Sequence, residues 1–279
     1  MKDVKEQSYI KFSEIIEQRK LFDGIERFLV LFSCGKDCSM MLDLFLRYYR
    51  EHGITLPITI FSAPYPKHMY FVNDRPNDNF AEIMRYWDNR NVEIQYVTPD
   101  FEDFADEDRN GCLICKKSRK SEIDKFVNKH GENTGILTGF TIYDALSYLN
   151  MILLNCNYNI QNLQSLPEPL KSSTTKMLHK MSLKEFLPNG KIMTRPMLPF
   201  QEQEVKAYLE QTGIPYLSTP CKICKYKFKR LYSAALDLYE VFPVTYDGIE
   251  NFLNANGICL NGNHLSFEDV EHDNYFIDC

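Results

Sequence analysis

The chain has 279 residues, of which 44% are hydrophobic, 13% aromatic and 25% charged, a globular composition that excludes a disordered or collagen-like polymer. Its formal net charge is -6 at pH 7, so the surface as a whole is not that of a general nucleic-acid binder. No apolar run approaches the ~20 residues that a membrane-spanning helix needs, and residues 1–21 are charged and lack a secretion-signal core, so the sequence reads as cytoplasmic with no membrane partner.

Apolar residues recur at helical spacing over residues 10–22, and RFLVLF at 27–32 reads as a buried strand. A turn at 33–38 leads into a helix at 39–51 that stops at Gly53. Further strands are expected at 56–62, 92–98 and 135–140, with helices at 79–90, 116–130 and 142–154. This alternation predicts an α/β fold with a doubly wound, mostly parallel sheet, whose ligand sites lie at the carboxyl ends of the strands. Residues 155–194 are polar and irregular and read as a long excursion over the active-site edge. Helical patterns resume at 201–212 and 226–239. The acidic, Asn-rich stretch 241–279 is expected to form a small extension packed on a domain of residues 1–240.

The first chemical feature is SCGKDCS at 33–39, set between strand and helix. A helix start presents unpaired N–H groups at the positive end of the helix dipole, which suits phosphate or pyrophosphate. The spacing is not that of a Walker A loop. A plain strand-turn-helix capped by Ser33 or Ser39 would carry a similar text. The second feature lies among nine cysteines, which in a reducing compartment point to metal or redox chemistry more than to disulfides. Cys112–Cys115 and Cys221–Cys224 form two CxxC pairs, and the i, i+3 turn aims both sulfurs of a pair the same way. A closed four-thiolate zinc site and an iron-sulfur cluster both fit that spacing. Lys116, Lys117, Arg119 and Lys120 follow the first pair, and Lys222, Lys225, Lys227, Lys229 and Arg230 surround the second. These cations favour thiolate and offer local contacts to a polyanion, although an acidic run at 99–108 stands just before the first.

The remaining candidates read as structural. Trp87 and the Tyr48–Tyr49 pair occur at helical spacing and read as core, and Cys156 at a helix end reads as a packed thiol. His68 and His179 fall in expected loops near the site, where an acid or base would be useful but a solvated histidine is commoner. Cys259, His264, His272 and Cys279 follow no metal-ligand spacing and read as an ordinary tail.

Taken in order, the SCGKDCS loop, CLIC, TGF, TRPML and PCKIC resemble the PP-loop ATPases, and more closely the tRNA 2-thiocytidine synthetase family, over roughly residues 22–231. The resemblance implies that ATP, held with Mg2+, adenylates a base carbonyl, after which sulfur displaces AMP. It implies that Ser33, Gly35, Lys36 and Asp37 cradle the pyrophosphate of ATP, with Cys34 and Cys38 in the same loop. Lys36 and Asp37 would act in the chemistry, Phe61, Ser62 and Gly139 would contact adenosine, and Asp144 would stand near the metal or phosphates. A 4Fe-4S cluster would take Cys112, Cys115 and Cys221, with Cys224 a fourth ligand, a spare or a sulfur relay. The implied partners are tRNA and a sulfide or persulfide donor, and a homodimer is the default oligomer.

Three positions depart from the family pattern. Cys34 replaces a glycine and so brings a side chain to where backbone should approach phosphate, Cys38 replaces a serine, and only Asp144 remains of a two-aspartate motif after the fourth strand. Other readings are therefore kept beside tRNA thiolation. They are the same chemistry on a small molecule, an adenylyl-sulfate-type reductase, and a non-catalytic nucleotide-binding protein with structural zinc.

Overall fold

The computed structural model describes residues 3–100, 111–221 and 244–260. In chain order come α1 (Val4–Gln18), β1 (Arg27–Leu31), α2 (Lys36–Glu51), β2 (Ile58–Ser62), α3 (Lys67–Tyr70), β3 (Phe71–Val72), β4 (Arg75–Pro76), α4 (Asp78–Asp88), β5 (Ile94–Tyr96), α5 (Gly111–Val127), β6 (Thr134–Leu137), α6 (Ile142–Asn155), a 3-10 turn (Ile160–Ser165), α7 (Leu170–Lys180), β7 (Lys184–Phe186), β8 (Ile192–Thr194), α8 (Glu202–Thr212) and α9 (Tyr246–Ala255). The main sheet has the order β5-β2-β1-β6-β8-β7. Every neighbouring pair in it is parallel except β7 with β8. This is the doubly wound, mostly parallel sheet expected from the alternation of elements.

Strand β1 explains why the sheet is covered on both sides. Phe28, Val30 and Phe32 join one buried cluster with residues of α1, α2, α4, α6 and α8. Leu29 and Leu31 face the other way, into a smaller cluster with Phe61, Ile136 and the α5 residues Ile123 and Val127. Alternate side chains of a strand point to opposite faces, so an uninterrupted apolar run requires a cover on each.

The helix starts follow from capping. Asp3 accepts hydrogen bonds from the N–H groups of Lys5 and Glu6, so α1 begins well before the apolar pattern at residue 10. Helix α8 opens on a capping box of Gln201 and Glu204 and ends at Gly213, whose φ is +66°. The largest difference from expectation is residues 155–194. Instead of irregular chain over the site, they form the 3-10 turn, α7 and the two strands that complete the sheet. Three-residue strands are too short to show a period, and their burial comes from neighbours in the sheet. His68 and His179 accordingly lie on α3 and α7 rather than in loops, and His179 is buried.

The expected cores are in place. Trp87 and Tyr48 are buried, and Cys156 caps α6 with its thiol enclosed. Helix α9 is tied to the C-terminal ends of α1 and α7 by Arg19 to Glu250 at 2.7 Å and by the Tyr246 hydroxyl donating to the Met181 carbonyl at 2.7 Å. The helix expected at 226–239 and the tail residues His264, His272 and Cys279 lie outside the described residues. No helix among the described residues is long and apolar enough to cross a membrane.

Candidate active site

The strand order reverses between β1 and β6, because β2 and β5 lie on one side of that pair and β8 and β7 on the other. The chain leaves both strands there, into α2 and α6. Open α/β sheets bind ligands at such a switch point. The SCGKDCS loop occupies it.

Within the loop, Cys34 adopts φ +59°, a left-handed conformation that disfavours any residue with a Cβ by about 1–2 kcal/mol. Its carbonyl accepts the N–H of Leu217 at 2.7 Å. The Ser33 carbonyl accepts the Tyr70 hydroxyl at 3.0 Å, the Ser33 hydroxyl donates to Cys38 Sγ at 3.1 Å, and the Gly35 N–H donates to Ser33 Oγ at 3.4 Å. Helix α2 begins one residue later, with Gly35 as its N-cap and no side-chain cap. Its leading amides therefore lack a capping oxygen, the condition in which a helix start takes an anion.

The thiol of Cys34 does not reach toward that anion position, as the glycine replacement had suggested. It is fully buried, with Sγ 3.8 Å from Ser62 Oγ at the end of β2. Burial pushes its pKa up to about 12, so the sulfur stays protonated and is a poor nucleophile at neutral pH. Ser62 is enclosed by the same contact. Phe61 stacks on Phe126 with centroids 4.0 Å apart, and its carbonyl accepts the Phe32 N–H at 2.8 Å. Phe61 is thus committed to the α5 face of the sheet, and Ser62 to Cys34 on the other face.

Charge gathers where α2 meets α8. Lys36 Nζ lies 2.7 Å from Asp37 Oδ1 and 2.7 Å from Glu202 Oε2, and Glu202 also pairs with Lys206 at 3.3 Å. Burial pushes the Asp37 carboxyl above its usual range; Lys36 pulls it back only in part, and the charges of Asp144 and Glu202 add to the rise. Burial opposes the charge of Lys36 too, but its two carboxylate partners outweigh that and raise its pKa. For Glu202, burial is again overcome, here by Lys36 and Lys206, and its carboxyl is held below the usual range. Asp144 is buried and accepts the Thr141 N–H at 3.1 Å, closing the capping box of α6. Glu202 escaped the sequence reading. Its neighbours in the text mark only a helix start, and nothing local says that Lys36 lies across from it.

Gly139 follows β6 and packs against the first turn of α2. A Cβ there would stand 2.8 Å from Cys38 Sγ, 2.9 Å from the Cys38 nitrogen and 3.0 Å from its Cα. Two of these atoms are backbone and cannot swing aside. Gly139→Ala should destabilise the protein by about 1–3 kcal/mol and shift the loop, read as a lower melting temperature. An unchanged melting temperature would remove the close-approach explanation for this glycine.

The described cysteines of the two pairs, Cys115 and Cys221, are half-buried and in no disulfide. Cys115 lies on α5 with Sγ 4.0 Å from the Tyr65 carbonyl. Cys221 comes four residues after Leu217, so the hydrogen bond to Cys34 holds it within ~14 Å of the loop even in extended chain. Tyr70, bonded to the Ser33 carbonyl, is itself buried, and burial pushes the pKa of its phenol up. The side chain of Cys112, in the first turn of α5, and all of Cys224 lie outside the described residues. Among the described residues no group of three or more His, Cys, Asp or Glu is arranged to hold a metal. Thiols as a residue type suit soft metal chemistry, being the ligands of iron-sulfur and zinc centres.

No family model matches the sequence, and no curated protein does. Among solved structures the chain is similar to the U34-tRNA thiolase NcsA from Methanococcus maripaludis, solved with its 4Fe-4S cluster. The likeness covers 89% of this chain and 78% of that one, at 17% identity and a TM-score of 0.59. It is a likeness of fold: the two chains share a mostly parallel α/β sheet with flanking helices. A second similar structure is the Candida glabrata FMN adenylyltransferase in complex with FMN and the ATP analogue AMPCPP. There the match covers 74% of this chain and 56% of the other, at 12% identity and a TM-score of 0.36, which is too little overlap to carry an argument.

Proposed function

We propose that the protein is an ATP-dependent sulfurtransferase that thiolates a base in tRNA. The observation that carries this reading is the tie between the phosphate loop and the thiols. Leu217, at the head of the segment leading to Cys221, donates to Cys34 within the loop at 2.7 Å. A nucleotide at the loop and a centre at the cysteines would then share one substrate.

The chemistry needs both. A carbonyl oxygen is a poor leaving group, so the substrate oxygen attacks the α-phosphorus of ATP and expels pyrophosphate. Sulfide then adds to the same carbon and AMP departs. Lys36 and the amides of α2 stabilise the charge that develops on the departing pyrophosphate, because preorganised positive groups cost no reorganisation when the charge appears. Asp37 and Asp144 are the carboxylates available to Mg2+. Cys112, Cys115 and Cys221 would hold a 4Fe-4S cluster, with Cys224 as fourth ligand or sulfur relay. When bound through three thiolates, such a cluster keeps one iron open to exogenous sulfur.

For the substrate, the lysine and arginine runs beside both cysteine pairs supply phosphate contacts, and single-stranded tRNA loops expose bases. The net charge of -6 favours a second reading, in which the same steps act on a small molecule. Two measurements on protein purified without oxygen test the proposal. About four irons with matching acid-labile sulfide per chain are expected, together with AMP and pyrophosphate formation that rises with added tRNA. Stoichiometric zinc without sulfide overturns sulfur transfer. Turnover indifferent to tRNA, with no tRNA binding at low salt, transfers the proposal to the small molecule.

A further inference from the structure

Cys34 is held in its left-handed conformation by two groups from outside the loop. Rotation about φ of Cys34 swings the peptide that carries the Ser33 carbonyl, and that carbonyl accepts the Tyr70 hydroxyl at 3.0 Å. Rotation about ψ swings the Cys34 carbonyl, which accepts the Leu217 N–H at 2.7 Å. Each soft dihedral of the strained residue is therefore pinned by one hydrogen bond. Tyr70 is 3% exposed and sits in α3, which follows β2, so it reaches the loop from a separate part of the chain. A residue at position 34 without a Cβ would adopt the same conformation unaided.

We propose that Tyr70 is a positioning residue of the nucleotide loop: its hydroxyl holds Cys34 left-handed, and so keeps the first turn of α2 shaped to receive the phosphates. The inference rests on the nucleotide-binding reading given above. It assigns Tyr70 no contact with ATP. The chain thereby carries a side chain where glycine would serve, with the phenol supplying the restraint that glycine would not need.

The test compares the wild type, Tyr70→Phe, Cys34→Gly and the Tyr70→Phe/Cys34→Gly double variant. Deuterium exchange of the peptide covering residues 33–39 is followed by mass spectrometry, and ATP affinity by calorimetry. Tyr70→Phe should speed exchange in that peptide and weaken ATP binding, each about tenfold, which is the scale of one lost hydrogen bond. Exchange in α4 and α8 should stay unchanged. In the Cys34→Gly background the same phenylalanine change should alter either reading by no more than about twofold, because a residue without a Cβ needs no restraint. Wild-type exchange in Tyr70→Phe overturns the proposal. So does an equal effect of the phenylalanine in both backgrounds, which would mark plain packing. If the wild type binds no ATP, the nucleotide reading falls, and the exchange arm still decides what Tyr70 does.

Discussion

Lys36→Ala should reduce AMP and pyrophosphate formation from ATP by about 10²–10³-fold, the usual loss when one preorganised charge is taken from a developing anion. The lysine stands at the first position of α2, so its charge and the helix dipole act on the same point. The substitution has a second consequence, visible without substrate. Asp37 and Glu202 both lie 2.7 Å from Lys36 Nζ, and Asp144 acts on Asp37 as well. Removing the cation leaves Asp37 and Glu202 without their shared counter-ion and Asp37 still under the charge of Asp144, so the melting temperature should fall. A Lys36→Ala/Glu202→Gln double variant should recover part of that fall while turnover stays low, because only the repulsion is relieved. Activity within about twofold of wild type in Lys36→Ala would sink the assignment of the loop, since no preorganised charge of the size in question would have been lost.

Arg195→Met is expected to give the largest loss of stability. Arg195 Nη2 lies 2.6 Å from Glu185 Oε2, both side chains are 5% exposed, and Nη1 donates to the carbonyls of Ser182 at 2.9 Å and His179 at 3.2 Å. The residue thus joins the end of β8 to the last turn of α7, to β7 and to the chain between them. His179 does not take over the positive role. Burial lowers its pKa, which Glu185 only partly offsets and Arg195 reinforces, and its Nδ1 is 3.8 Å from Glu185. Removing one partner of a buried ion pair leaves the other charge uncompensated, at about 3–5 kcal/mol. In a chain of this size that corresponds to roughly 10 °C in melting temperature. An Arg195→Met/Glu185→Leu double variant, which leaves no isolated charge, should regain most of the loss. If the single variant melts within about 2 °C of wild type, the pair is solvated in solution and the argument fails.

The motif TRPML drew attention to Arg195 through a resemblance, but its work in the structure is structural and could not be read from the motif. Glu185 lies in a segment that the sequence presents as irregular, because β7 and β8 are three residues each and owe their burial to the sheet. By contrast β1, α2 and α6 were legible. An uninterrupted apolar run in one case and helical spacing in the others are local signals, set by which faces a single element must bury. The loop at residues 33–39 was legible for a similar reason, since a turn between strand and helix is local text.

Local text thus specified the alternating α/β layout, the turn between strand and helix at residues 33–39 and the two cysteine pairs, all of which depend on residues close together in the chain. Long-range packing was needed to turn the Cys34 thiol inward to Ser62, to require a small residue at Gly139 where α2 packs, to set Glu202 opposite Lys36, and to let Tyr70 and Leu217 pin the loop. Each of these is a contact between elements far apart in sequence. A backbone period specifies which face of an element is buried. Which distant group meets that face is settled only when the sheet order has brought the strand ends together.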